Sequence, residues 1–168
     1  MKYTIQTGIN NPILRAISEE IKEINDELKD FLLILRRAMW ENDGVGLAAP
    51  QIGKNIRVIA TTQREKKSGK KNKLLGETIM INPVLKELSK EMIIAEEACL
   101  SVPDVFGKVK RHKSVVVHYT DPKWNVQKKK LKDFNATIVQ HEIDHLDGVL
   151  FVDKLVKPIK RFSEEKKK

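Results

Sequence analysis

The sequence has a single cysteine, Cys99, among 168 residues. One cysteine cannot form an intramolecular disulfide or build a closed structural zinc site from several thiolates. The chain is therefore expected to work in a reducing compartment. Cys99 itself should serve in packing, in metal ligation or as a nucleophile.

Long hydrophobic runs are also missing. No apolar stretch approaches the roughly 20 residues needed to cross a bilayer, and the opening residues MKYTIQTGINNP lack the apolar core of a signal peptide. We expect no membrane partner and a cytoplasmic location, or an organelle interior if a presequence has been removed. The length and the 40% hydrophobic content predict one domain over residues 1–168, by default a monomer.

Acidic and aromatic residues are scarce. The chain has 23 acidic residues against 32 lysines and arginines, which gives a net charge of +9, and aromatic residues make up 5%. This excess favours loose association with polyanions such as ribosomal RNA. Because the lysines are dispersed and no aromatic side chains lie between them, we expect no specific nucleic-acid recognition.

The stretch FNATIVQHEIDHLDGVLF, residues 134–151, predicts a mostly buried helix that ends near Gly148. His141 and His145 are four residues apart, so both side chains lie on one helix face and could grip one metal ion. Glu142 could reach a water molecule on that metal without being a ligand. Gln140, Asp144 and Asp147 should form a narrow polar edge of this helix.

The rest of the chain predicts an α+β fold, in which small antiparallel sheets pack around that central helix. Apolar residues at helical spacing predict a long N-terminal helix from a cap at Asn25 to about Asn42. Residues 1–24 should be an irregular wrap, with the start of a short helix at residues 18–20. Residues 63–75 should form a basic mobile loop, and the charged tail 160–168 should fray.

Two further stretches carry candidate site residues. A thiolate at Cys99 would complete a three-ligand set with the two imidazoles and leave a position open, as in catalytic metal sites. The loop GVGLAAPQ, residues 44–51, permits close approach of a ligand and ends in the hydrogen-bonding Gln51. A simple turn between helix and strand remains the alternative for this loop.

Taken together, the three stretches resemble those of the peptide deformylases, which remove the formyl group from the N-terminal formylmethionine of nascent chains. That family carries a Gly-x-Gly-x-Ala-Ala-x-Gln loop, a Glu-Gly-Cys-x-Ser stretch and His-Glu-x-x-His, in this order. The chain has GVGLAAPQ at residues 44–51, EACLS at residues 97–101 and HEIDH at residues 141–145. The resemblance spans nearly the whole chain.

This resemblance implies a role for each matching residue. Cys99, His141 and His145 would hold one divalent metal, with Fe(II) as the native ion, although Zn(II), Ni(II) and Co(II) suit the same donors. The general acid and base would be Glu142, while the Gln51 side chain and the Leu100 N–H would stabilise the oxyanion. The implied substrate contacts are Gly44, Val45, Gly46, Ala98 and Ile138. Arg111 would pair with Glu97, and the partners would be formyl-methionyl nascent chains and, transiently, the ribosome near its exit tunnel.

One residue departs from the family pattern. Ala98 stands where the family has glycine. If the backbone there has a positive φ, alanine in place of glycine lowers the free energy of unfolding by about 1 kcal/mol. If the backbone borders the substrate groove, the extra methyl group narrows the groove.

Three alternatives compete with a deformylase. A zinc endopeptidase shares His-Glu-x-x-His but takes a third ligand after the helix, where Asp153, Glu164 and Glu165 are available. A cysteine hydrolase would use Cys99 as its nucleophile. An inactive deformylase-like protein would only bind ribosomes through its lysines.

Overall fold

The computed structural model describes residues 3–65, 73–156 and 160–161, and within these it is an α+β structure with two antiparallel sheets. No helix in the described residues is both long and apolar enough to span a membrane. The helices are α1 (Pro12–Arg15), α2 (Asp26–Glu41) and α3 (Asp133–Leu146), with short 3-10 turns at Ala49–Ile52 and Phe151–Lys154.

The first sheet has five strands in the order β1-β2-β3-β6-β7, and the second has three in the order β4-β5-β8. The strands of the first sheet are β1 (Gly46–Ala48), β2 (Val58–Glu65), β3 (Lys73–Leu88), β6 (Ser114–Thr120) and β7 (Val126–Lys132). Those of the second are β4 (Met92–Cys99), β5 (Val102–His112) and β8 (Lys160–Arg161).

Helices α2 and α3 cover opposite faces of the five-stranded sheet. Val58 and Ala60 of β2 pack in one core with the apolar stripe of α2, whereas the intervening Ile59 packs with Val139 and other residues of α3. Because successive strand side chains alternate between faces, a run of apolar residues in β2 supplies both cores. Helix α2 spans the region in which periodicity predicted a helix, and the Asn25 side chain accepts from the Leu28 N–H at its start.

The first helix lies earlier than predicted. No helix begins at residues 18–20, where the Ser18 N–H instead donates to the Leu146 carbonyl. Helix α1 begins at Pro12, after an Asn11 side chain that accepts from the Ile13 N–H. Proline favours the first helical position, since its missing N–H would have no partner there, and Pro12 therefore starts a helix within the segment predicted to be irregular.

The predictions of a mobile loop at residues 63–75 and a frayed tail at residues 160–168 were wrong at the edges of these segments. Residues 63–65 and 73–75 are paired strands of the β2–β3 hairpin, and the Asn135 side chain holds the backbone of Arg64. Lys160 and Arg161 pair with Phe106 and Val105 of β5. The remainder of each predicted segment, residues 66–72 and 162–168, lies outside the described residues.

Helix α3 ends as predicted, and the end is fixed by a close contact. Gly148 follows the C-cap Asp147 with φ +71°. A Cβ atom at this position would overlap the Arg15 carbonyl oxygen and lie 2.8 Å from its carbonyl carbon. Arg15 in turn pairs with Asp153, so the N-terminal segment is attached to the chain just beyond the helix.

We therefore expect Gly148→Ala to lower the free energy of unfolding by about 3 kcal/mol, because a strained φ and a backbone overlap add up. For a chain of this size this corresponds to a fall in Tm of roughly 6–12 °C, measurable by calorimetry. The control is Gly53→Ala, at φ +91° with its nearest neighbour 3.7 Å away, which should cost only about 1 kcal/mol. An equal loss of unfolding free energy in the two variants would contradict the view that close contact with the Arg15 backbone makes glycine necessary at position 148.

Candidate metal centre and active site

Three donor residues converge where the two sheets meet. Cys99 is the last residue of β4, and His141 and His145 lie one turn apart on α3. The ligand atoms of the three residues all lie within 4.8 Å of one another, and Cys99 Sγ is 3.2 Å from Nε2 of His145. A tetrahedral metal with bonds of about 2.0–2.3 Å holds its donors roughly 3.3–3.8 Å apart. One thiolate and two imidazoles at these distances therefore fit a divalent metal with small adjustments.

Glu97 fixes the orientation of one imidazole. Its carboxylate lies 2.8 Å from Nδ1 of His141 and is buried. Burial raises the pKa of Glu97, but hydrogen bonds from Arg111 and His141 outweigh it and bring the pKa to about 2. An ionised carboxylate can only accept, so Nδ1 of His141 carries a hydrogen and Nε2 is the ring nitrogen left to bind a metal.

Arg111 holds Glu97 from the other side. Its Nε and second terminal nitrogen donate to the two carboxylate oxygens at 2.7 and 2.8 Å, as the resemblance implied. The remaining guanidinium nitrogen pairs with Asp144 of α3, which also accepts from Lys154 at 2.7 Å. This buried charge network links β4, β5 and the metal-binding face of α3.

Gln140, in the predicted polar edge of α3, is buried. Its side chain accepts from the His112 N–H and donates to the His112 carbonyl, at 3.0 and 2.9 Å. These bonds satisfy backbone groups at the end of β5, so the amide has a structural function inside the protein.

Glu142 follows His141 on α3, and both residues line the same cavity. Its side chain is 4% exposed, and burial raises its pKa to about 7. Its Oε2 atom has no hydrogen-bond partner among the described residues. A Cβ atom on Gly46 would overlap Oε1 and approach Cδ to 2.8 Å, so the absence of a side chain at Gly46 is what gives this carboxylate room.

The loop before β2 positions Gln51 in the same place. The Ala48 N–H donates to Oε1 of Gln51 at 2.8 Å, which fixes the orientation of the amide. Its Nε2 then donates towards Cys99 Sγ at 3.4 Å and Ser101 Oγ at 3.2 Å. The loop residues 44–51 are therefore more than a turn, because they bring a fixed N–H donor beside the thiol.

A cavity of about 440 Å³ opens beside these groups, and of the three metal donors Cys99 and His141 line it while His145 does not. The predicted substrate and oxyanion residues all line it, together with Cys99, His141 and Glu142: Gly44, Val45, Gly46, Gln51, Ala98, Leu100 and Ile138. The sequence did not single out Asp43, Glu96, Asp104, Phe134 or Thr137, which also line it. It also missed the contacts of Glu97 with His141 and of Ser101 with Gln51. The tendency of metal-binding histidines to donate to carboxylates could have suggested the first.

Ala98 does not have a positive φ. Backbone strain therefore does not explain why the family has glycine at this position. Its exposed side chain lies on the cavity wall. We therefore expect Ala98→Gly to raise kcat/KM severalfold for formylated tri- and tetrapeptides and to leave a formylated dipeptide nearly unchanged, since only longer substrates reach along the wall. Steady-state formate release from both substrates measures this, and an equal response of the two lengths would remove the groove explanation.

Comparisons with known proteins agree with this site. The polypeptide deformylase family model matches residues 4–161. The chain is 38% identical to a peptide deformylase of Finegoldia magna, with 94% of each chain covered. It is 39% identical to one of Fusobacterium nucleatum, with 92% of this chain and 84% of the relative covered.

Solved structures give the same result. A class I type b peptide deformylase from Acinetobacter baumannii with bound Met-Ala-Ser superposes with a TM-score of 0.85 at 33% identity, covering 92% of this chain and 99% of the other. A probable peptide deformylase from a Synechococcus phage gives 0.81 at 40% identity, covering 92% and 100%. With a family match over nearly all its length and relatives well above 30% identity, this chain belongs to the peptide deformylase family.

Proposed function

We propose that this chain removes the formyl group from N-terminal formylmethionine of nascent polypeptides, with Cys99, His141 and His145 as ligands of one divalent metal and Glu142 as the general acid and base. The observation that carries the proposal is that the ligand atoms of these three residues lie within 4.8 Å of one another, and that the buried carboxylate of Glu142 lines the same cavity as Cys99 and His141. When bound, a divalent metal supplies Lewis-acid chemistry, which polarises a carbonyl group and acidifies water.

In this proposal Glu142 accepts a proton from the water molecule that attacks the formyl carbon. The buried carboxylate has a pKa near neutrality, which suits a group that must both take and return a proton. It then delivers the proton to the amine as the carbon–nitrogen bond breaks, and formate and a free N-terminus result. The lack of a side chain at Gly46 leaves the space in which this carboxylate meets the substrate amide.

The developing oxyanion would be stabilised by two donors of the chain, Nε2 of Gln51 and the backbone N–H of Leu100. Gln51 is held ready by the Ala48 N–H, so little reorganisation is needed. The methionine side chain would lie against the apolar part of the cavity, where Val45, Leu100 and Ile138 form wall positions. A Met-Ala-Ser peptide bound to the Acinetobacter relative supports a peptide substrate for this chain.

The competing functions are not favoured. The third donor beside the two histidines is Cys99, from before the helix. The downstream candidate Asp153 is engaged by Arg15, and Glu164 and Glu165 lie outside the described residues. The position of the third donor therefore supports a deformylase over an endopeptidase. The presence of the three donors, Glu142 and Gln51 in one site supports an active enzyme over a protein that only binds ribosomes.

The test is formate release from formyl-Met-Ala-Ser by metal-loaded protein, before and after treatment with a chelator. We expect turnover that the chelator abolishes and added metal restores. Internal cleavage of unformylated peptides would favour the endopeptidase instead, and turnover that resists the chelator but is blocked by thiol alkylation would favour the cysteine hydrolase. Elemental analysis after anaerobic purification tests our expectation of Fe(II) as the native metal.

A further inference from the structure

The N-terminal segment bonds to two separate parts of the chain that line the active site. The backbone N–H of Gln6 donates to the carbonyl of Gln51 at 2.8 Å, and the N–H of Gly8 donates to the carbonyl of Ser101 at 2.9 Å. We call residues 6–8, which include both donors, the N-terminal link. The link belongs to no helix or strand, so its course is set by these bonds and by the packing on either side of it.

The residues joined by the link belong to different parts of the fold. Gln51 lies in the 3-10 turn after β1 of the five-stranded sheet, whereas Ser101 follows β4 of the three-stranded sheet. In the described part of the chain, no backbone hydrogen bond joins residues 49–52 directly to residues 99–101. The main-chain connection between these two segments therefore runs through the link.

Both ends of the link are anchored. Before it, Tyr3 and Ile5 pack against the core that contains the apolar stripe of α2, and the Tyr3 hydroxyl donates to Glu41 at 2.5 Å. After it, the Asn11 side chain caps α1 and donates to the Thr7 carbonyl at 3.2 Å. Because neither end is free, the position of the link is passed on to the two carbonyls that it holds.

The side chains of Gln51 and Ser101 also meet inside the site. Both are buried, and Nε2 of Gln51 donates to Ser101 Oγ at 3.2 Å. An amide nitrogen has two hydrogens, so Nε2 can also donate towards Cys99 Sγ, 3.4 Å away. The placement of this amide beside the thiol thus depends on the distance between the Gln51 turn and the Ser101 backbone, which the link holds.

We propose that the N-terminal link is a positioning segment, which keeps the Gln51 amide at the distance from residues 99–101 that oxyanion stabilisation needs. The inference rests on the proposed function, in which Gln51 is one of two oxyanion donors. Such a donor must lie about 2.7–3.1 Å from the oxyanion. A displacement of about 1 Å can lower a rate by about 100-fold, even when its cause is remote from the reacting atoms.

The test is Gly8→Ala. Gly8 has φ +104°, and apart from its chain neighbours no heavy atom of the described residues lies within 4 Å of the place that a Cβ atom would take. The variant therefore acts through a backbone angle that L residues rarely adopt, and not through overlap. As the residue 8 N–H turns away from Ser101, kcat for formate release from formyl-Met-Ala-Ser should fall about tenfold.

The split between kcat and KM identifies the step that is affected. We expect KM to stay within about twofold of the wild-type value, because the lost interaction belongs to the transition state. Metal content should not change. Gly8→Pro removes the N–H itself and should lower kcat at least as much. An unchanged kcat in both variants would overturn the proposal.

The matched control is Gly76→Ala in the β2–β3 hairpin. Gly76 also has a positive φ, +154°, and a Cβ atom there would likewise have no neighbour within 4 Å. Gly8→Ala and Gly76→Ala should both lower Tm by roughly 2–12 °C through backbone strain. Only Gly8→Ala should lower kcat, and the control should stay within about twofold of wild type. Equal falls in kcat would overturn the proposal, because strain anywhere in the chain would then explain them.

A double-mutant cycle with Gln51→Ala tests whether the link acts through Gln51. Once the amide is absent its position no longer matters, so Gly8→Ala should then lower the remaining kcat by less than about threefold. A second tenfold fall in that background would overturn the proposal, since the link would act by another route. A wild type that releases no formate would exclude the proposed function and this inference with it. An active wild type with equal kcat in the two glycine variants would exclude this inference alone.

Discussion

Replacing Glu142 with glutamine is expected to lower kcat for formyl-peptide hydrolysis by about 10²- to 10⁴-fold, the usual contribution of a general acid and base. Glutamine keeps nearly the same shape against Gly46 but cannot accept and return the proton. The protein should therefore fold, and it should retain its metal, because Glu142 is not among the three donors. Steady-state formate release and elemental analysis of the same sample measure both properties.

The control for this variant is Glu96→Gln. Glu96 is an exposed carboxylate on the wall of the same cavity, so its loss changes the charge of the cavity without removing the buried carboxylate. Its kcat should remain within about threefold of the wild-type value. A Glu142→Gln enzyme that keeps its metal and more than about one tenth of wild-type kcat would exclude Glu142 as the essential acid and base.

The second large effect is expected for Cys99→Ser, which should weaken metal binding by more than about 100-fold. A neutral hydroxyl replaces a thiolate, and removal of a direct ligand should exceed the 10- to 100-fold cost typical of losing a residue that supports a ligand. Competition against a chromogenic chelator gives the affinity, and metal content after dialysis gives retention. Activity should follow metal content.

Ser101→Ala is the control in the same segment. Ser101 accepts from Gln51 and supplies no atom to the donor group, so metal affinity should be retained even if turnover falls. If Cys99→Ser kept wild-type metal affinity and lost only turnover, Cys99 would be a nucleophile and the proposed ligand set would be wrong.

The helices were predictable because their signals are local. Helix α2 has a capping asparagine and a regular apolar stripe, and α3 ends at a glycine with positive φ. Helix α1 was missed because Pro12 has two opposite effects, breaking a helix inside but favouring its first position. Only the neighbouring Asn11 cap decides between them.

The candidate site was predictable where chemistry fixes both residue type and spacing, as for His141 and His145. What could not be predicted depends on tertiary contacts. The sequence around Gln140 does not indicate that its side chain bonds the backbone of His112. Likewise, the sequence around Arg64 does not indicate that Asn135 bonds its backbone. The extended hairpin strands and the buried amide follow from those long-range contacts, which override the local preference for loop or surface.

The donor group has a further consequence because its members belong to different parts of the fold. Cys99 ends a strand of the three-stranded sheet, whereas both histidines belong to the helix that covers the five-stranded sheet. A bound cation would thus act as a cross-link between two halves that otherwise meet through packing, the Arg111–Asp144 pair and hydrogen bonds such as those of Glu97 with His141 and of Gln140 with the His112 backbone. Removing it should loosen the smaller half first, so that amides of β4 and β5 exchange with deuterium faster in metal-free protein while those of β2 and β3 stay protected.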